Sequence, residues 1–229
     1  MLARLVVGRM DPQHIDCRSW VITDELVPGF VASSEPERMG LWMVDRRSGR
    51  ALELTCWPDH ETLDRARVED AADRARLAEL LGLQISASIT AEVIGQRRPV
   101  GPEDGRAPRW ARTTWVSGLT RDHHDLLRAL HAQVKALDSP GFLGGCWVAD
   151  YASGNGMGLS LWADAASMCA SGFAVRGFRR HFRRTVPCTI GTVEEYQVIA
   201  SVPPMGARTI DLAGEATDPA GAQPSSVLR

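Results

Sequence analysis

The chain has 229 residues, 44% of them hydrophobic and 24% charged, with a formal net charge of -2 at pH 7. That balance describes a globular chain long enough for one large domain or two ordinary ones, and it offers no electrostatic attraction to nucleic acid. The apolar opening MLARLVV is too short for a signal-peptide core, and no stretch approaches the ~20 apolar residues of a membrane span, so a cytoplasmic protein with no membrane partner is expected.

In chain order, RLVVG reads as a strand. Asp11-Pro12 then supplies a helix cap with proline at the first helical position, and Pro28-Gly29 is the expected stop. LWMVD and ALELTCW flank a tight turn at Ser48-Gly49, forming a hairpin. Asp59 caps a helix expected to run from Glu61 to Leu81, and LQISASITAEVIG closes the unit as a strand. The stretch GQRRPVGPEDGRAPRWAR, rich in proline and charge, reads as a connector. The plan then recurs: TTWVSG as a strand, HHDLLRALHAQVKAL as a helix with Leu127, Leu130, Val134 and Leu137 in one stripe, and a stop at Pro140-Gly141. A hairpin turning at Ser153-Gly154, a helix capped by Asp164 and the strand VEEYQVIASV follow. The residues after Val202 have little to bury and are expected to form a mobile tail.

The recurrence is also literal. From Trp42 on Trp147 through Asp59 on Asp164 the chain aligns with itself without a gap, and seven of those eighteen positions are identical: Trp42/Trp147, Asp45/Asp150, Ser48/Ser153, Gly49/Gly154, Leu54/Leu159, Trp57/Trp162 and Asp59/Asp164. Such a repeat at one offset is the mark of a duplicated unit. The expected organisation is a first unit at 1–98, a connector at 99–111, a second unit at 112–203 and a tail at 204–229. Each unit reads βαββαβ, which is ferredoxin-like. Two such units with bare sheet faces are expected to pack sheet to sheet as an α+β barrel within one chain, a monomer imitating a dimer.

The strands ELTCWPD and LSLWAD, each ending in Trp before an acidic helix cap, resemble those of the antibiotic biosynthesis monooxygenase superfamily of dimeric α/β barrel proteins. Within it, the two-unit form resembles the ring-cleaving oxygenases of angucycline polyketide pathways. The resemblance implies an oxygenase acting on an aromatic polyketide of hydroquinone or anthrone type, with O2 and without tightly bound metal or haem. Its other members imply two alternatives, a non-catalytic small-molecule binding or stress-related protein, and a haem-binding protein. The histidine that haem-degrading relatives carry after the Trp is here Ala66 or Arg67 in one unit and Ser171 or Gly172 in the other. No flavin fingerprint is present, which leaves reduced flavin as a diffusible reductant delivered by a separate flavin reductase.

Period-two alternation puts Glu53, Thr55 and Trp57 on one strand face, and Gly158, Ser160 and Trp162 on the corresponding face of the repeat. A Trp among small or polar neighbours marks a pocket wall with an N–H donor; the alternative is a core Trp whose N–H meets a neighbour. Trp162 and Arg179 are the candidate oxyanion stabilisers, and His123 is the candidate base, with His131 as its alternative; Trp57, Ser160, His131 and Phe178 are candidate substrate-binding residues. Helical projection places His123 near the centre of its stripe and His131 at the edge. Because Gly158 leaves space that Glu53 fills, one principal cavity is expected, in the second unit. The five cysteines, odd in number and without C-x-x-C spacing, are expected as buried free thiols. Only one of 26 basic residues is lysine, so no single arginine stands out by its type.

Overall fold

The computed structural model describes residues 1–32, 39–97, 107–134 and 139–202, without the side chains of Val134, Phe173 and Ala174. Eight antiparallel strands close a barrel: β1 (Leu2–Arg9), β2 (Met39–Val44), β3 (Arg50–Trp57), β4 (Gln84–Arg97), β5 (Trp110–Ser117), β6 (Phe142–Asp150), β7 (Asn155–Trp162) and β8 (Thr189–Val202). Around the ring, β4-β1-β3-β2 of the N-terminal half is followed by β8-β5-β7-β6 of the C-terminal half, the same order twice. The two sheets do more than face each other as a sandwich would. Their edges also pair, β2 with β8 and β4 with β6, so the strands form one closed cylinder.

The interior of the cylinder is a shared apolar core. Leu5, Leu41, Leu52, Leu54 and Cys56 from one half meet Cys146, Val148, Met157, Leu159 and Leu161 from the other, all buried. Burial pushes the Cys56 thiol up to about 12 and raises that of Cys146 as well, so both stay protonated as small apolar fillers. Cys17 and Cys169 are exposed and Cys188 is intermediate, so the expectation of five buried thiols fails for three.

The repeated residues are those that backbone geometry demands. In the first hairpin the Asp45 carboxylate accepts from Arg47 N at 3.0 Å and Ser48 Oγ at 2.5 Å; in the second, Asp150 accepts from Ala152 N at 3.0 Å and Ser153 Oγ at 2.6 Å. Gly49 and Gly154 both close their turns at φ 72, a left-handed conformation that favours glycine. Asp59 accepts from Thr62 N at 2.9 Å and Asp164 from Ser167 N at 2.7 Å, capping α3 (His60–Glu69) and α6 (Ala165–Ala170) alike.

The helices lie outside the barrel. In the N-terminal half, α1 (Ile15–Arg18), a π-helical turn (Val21–Leu26) and α2 (Val27–Ala32) form one run. Pro28-Gly29 therefore does not stop it. Val27 N reaches back five residues to Ile22 O, so the bonding ladder has already slipped by one where proline lacks its N–H, and the wider turn accommodates the ring. The helix expected to reach Leu81 breaks at Asp70 into α3 and α4 (Ala71–Leu81). In the C-terminal half, α5 (His124–Val134), α6 and α7 (Gly172–Thr185) take the equivalent places. Each half's leading helices reach across the seam: α5 packs on β4, and α2 with its π-turn packs on β8. The tail at 204–229, most of the connector and the end of the Leu127 stripe at Leu137 lie outside the described residues.

Candidate functional site

Two cavities open between the barrel wall and the helices, one in each half, with volumes of about 140 Å³ in the C-terminal half and about 250 Å³ in the N-terminal half. The expectation of one principal cavity is thus corrected. Glu53 does not fill its side because it turns to Arg74 on α4, 3.2 Å away, and leaves room beside it.

The C-terminal cavity has an aromatic wall and a cationic rim. Trp147 on β6 lies with its ring centroid 5.6 Å from Phe178 and 5.6 Å from Phe182, both on α7. Gly158 is the cross-strand partner of Trp147, and a Cβ there would come within 3.3 Å of the indole Nε1, so the indole N–H edge lies over bare backbone. His131 on α5 is buried in the same cavity, edge-on to Trp147 at 5.5 Å and against the backbone of Gly95 on β4.

Arg97, Arg112 and Arg179 line this cavity, and no carboxylate does among the described residues. Arg112 is engaged: its Nε and Nη2 donate to Glu195 at 3.0 and 2.8 Å, and its Nη1 to Ser171 Oγ at 3.1 Å. Arg179 is not. Among the described residues its one hydrogen bond is a long one of 3.5 Å to Thr114 Oγ1, and its Nε is buried without a partner. Burial first, then the charges of Arg112 and Arg183, hold the Arg179 guanidinium below the usual arginine range. A buried donor on a cation short of a counter-charge is a standing demand for an anionic acceptor.

Of the residues expected from the sequence, Ser160, His131, Phe178 and Arg179 meet around this cavity. Trp162 and Trp57 lie outside both linings; each is a buried indole whose Nε1 donates at 3.0 Å to the hydroxyl two residues back, Ser160 and Thr55 respectively. His123 also lies outside. It belongs to a 3-10 turn (Arg121–His123) ahead of α5, where projection at the α-helical pitch goes out of phase, and its Nδ1 accepts from Thr120 N at 3.1 Å. Asp11 caps the equivalent turn of the first half (Pro12–His14), accepting from Gln13 N at 3.0 Å with His14 beside it, so the structural counterpart of Asp11 is Thr120 rather than His123.

Arg97, Arg112, Thr114, Trp147 and Phe182 escaped the sequence reading as site residues. Trp147 had a signal, its place in the repeat. Arg112 had none in a gapless repeat, since its counterpart Arg4 matches only through the strand register: Arg4 faces Thr55 as Arg112 faces Ser160. Arg74 and Arg179 complete the correspondence on α4 and α7.

No family model matches the chain, and no curated protein does. Solved structures do match. A candidate monooxygenase of Fusobacterium nucleatum aligns over 90% of this chain and 95% of its own at a TM-score of 0.61 and 8% identity. One of Lactobacillus acidophilus aligns over 89% and 97%, at 0.60 and 5%. An anthrone oxidase-like protein aligns over 90% and 96%, at 0.56 and 17%. The likeness is one of fold, an α/β barrel shared along nearly the whole length of each chain. The two cavities described above lie outside the cylinder, under the helices; a third, of about 500 Å³, is lined by strand residues alone, Arg9, Arg50, Trp115 and Glu194 among them.

Of the C-terminal cavity's lining, His131 alone could offer an imidazole to a haem iron, and its ring stands against Trp147 and Gly95.

Proposed function

We propose that the protein is an oxygenase of a phenolic aromatic compound, with its reaction centre in the C-terminal cavity. The observation that carries this reading is the buried, unpartnered Nε of Arg179 beside the wall of Trp147, Phe178 and Phe182. A planar ring stacks on that wall, and its ring oxygen meets the guanidinium of Arg179 and the hydroxyl of Thr114. Cavity size limits the part that enters to one or two rings, so a larger polyketide would insert only its end. His131 takes the proton from the phenol or from a methylene conjugated with it, work that neutral imidazole performs near pH 7.

The resulting carbanion-like phenolate passes an electron to O2, and the radical pair forms a C–O bond. Protonation gives an organic hydroperoxide, which loses water to leave a carbonyl. The balance is one methylene plus O2 to one ketone plus water, and this route needs no external reductant. The protein supplies a dry aromatic slot, a base and a cation for the charge that develops on oxygen. The fold of the monooxygenase-type barrels and the likeness to an anthrone oxidase-like protein support this class. The same reading takes the halves 1–98 and 112–203 as duplicated units of which the second carries the chemistry.

The test is oxygen uptake with a panel of one- to three-ring phenols bearing an activated methylene, with and without a flavin reductase. Uptake is expected without the reductase, lowered by His131→Gln with loss of the pH limb near neutrality. No uptake with any member of the panel by the folded protein would overturn the oxygenase reading.

A further inference from the structure

The N-terminal cavity presents a different chemistry. Three buried donors on its lining residues have no hydrogen-bond partner among the described residues: Nε1 of Trp42, Nη1 of Arg4 and Nε of Arg74. Trp42 is only 4% exposed, and its ring stands edge-on to Phe30 at 5.4 Å, so one wall is aromatic here as well. Buried donors without acceptors are rare in native structures and each is costly, so three in one cavity point to a ligand bearing oxygen acceptors. The charge balance decides which kind. Arg4, Arg74 and Arg76 line this cavity together with four carboxylates, where the C-terminal cavity has three arginines and none. Glu53 is paired with Arg74 at 3.2 Å, and Arg76 is paired with Glu25. An anion entering here would meet these carboxylates, whereas a neutral acceptor would meet only the free donors.

We infer that the N-terminal cavity is a second ligand site, selective for an uncharged aromatic ketone of about two rings, held by hydrogen bonds from Trp42, Arg4 and Arg74 to its carbonyl oxygen. This goes beyond the oxygenase reading and does not depend on turnover. Of the four carboxylates, one stands where the other half has glycine. Glu53 faces Trp42 across β2 and β3 as Gly158 faces Trp147 across β6 and β7.

The test is calorimetric binding of two probes of the same shape to the full chain, 2-acetylnaphthalene and 2-naphthoate, which differ by a methyl group in place of an oxyanion. The ketone should bind with a stoichiometry of one, about tenfold more weakly in Trp42→Phe and unchanged in Arg179→Gln. Glu53→Gly should give the chain an additional site for 2-naphthoate, and Glu53→Gln, which keeps the side-chain size, should do so too. Ketone binding that is unchanged in Trp42→Phe, or that is lost in Arg179→Gln, would overturn the inference. So would the absence of ketone binding in the folded wild type. Failure of the oxygenase reading would appear as missing oxygen uptake and leave these binding results intact.

Discussion

The two halves place an arginine pair at the same positions and give it opposite electrostatic settings. In the N-terminal half Glu53 stands beside Arg74, and the cavity is close to charge balance. In the C-terminal half the corresponding residue is Gly158, and Arg179 faces the cavity with no carboxylate in the lining. The strand order, hairpins and caps repeat nearly unchanged, so what separates the two sites is a small number of side chains on a common frame. In such a frame the charge of a cavity changes more readily than its walls.

The comparison can be pressed at four strengths. The largest effect should fall on the shared frame, where the halves are alike: Leu54→Ala and Leu159→Ala each remove a buried barrel-core residue and should cost about 2–5 kcal/mol, nearly equally, in urea unfolding. A clear inequality would mean that the core is not shared evenly. Next, Arg179→Gln should lower oxygenation turnover by about 10²- to 10³-fold with little change in folding, as removal of an oxyanion donor does, while Arg74→Gln should leave turnover near the wild-type rate. Equal losses in both would place chemistry in both halves.

A third, smaller effect is expected from Gly158→Glu, which gives Arg179 the neighbour that Arg74 already has. Affinity for 2-naphthoate in the C-terminal cavity should fall about tenfold, with a slight shift of Trp147, whose Nε1 stands 3.3 Å from the new Cβ. Undiminished anion binding in that variant would detach the cavity's selectivity from its charge.

The smallest effect lies at the seam. Glu92 on β4 bridges to Arg121 at the start of the second half's helices, and that hydrogen bond, outweighing a modest opposing effect of burial, holds the Glu92 carboxyl below its usual range. A depressed carboxylate contributes stability that is full above its unfolded value and is lost as pH falls through the folded one. Glu92→Gln should therefore flatten the acid limb of stability below about pH 4.5, and only slightly, since solvent screens this exposed pair. An acid limb identical to that of the wild type would show that the bridge contributes nothing measurable.

Much of the frame was legible because its signals are local. Asp45 and Asp150 bind the amides of their own turns, Gly49 and Gly154 adopt a backbone conformation that disfavours other residues, and alternation alone put Glu53, Thr55 and Trp57 on one face of their strand. The site was less legible because its residues converge from distant strands. Arg4 and Arg112 correspond only through pairing with β3 and β7, at an offset different from that of the hairpins. His123 was misplaced by carrying one helical pitch through a turn of another. The indoles of Trp57 and Trp162 satisfy their donors with Thr55 and Ser160, hydroxyls that the same alternation had marked as pocket lining; whether such a hydroxyl serves a ligand or a neighbouring ring is a matter of rotamers, which spacing does not encode.

The crossing of the seam by β4 and β8 has a consequence for how such a protein changes over generations. Ile94 and Arg97 of the first half help to enclose the second cavity, and Ile199 of the second half helps to enclose the first. Neither half can drift alone, since a substitution in these shared residues alters the cavity wall of the other. Viable variants should therefore carry paired changes on opposite sides of the junction.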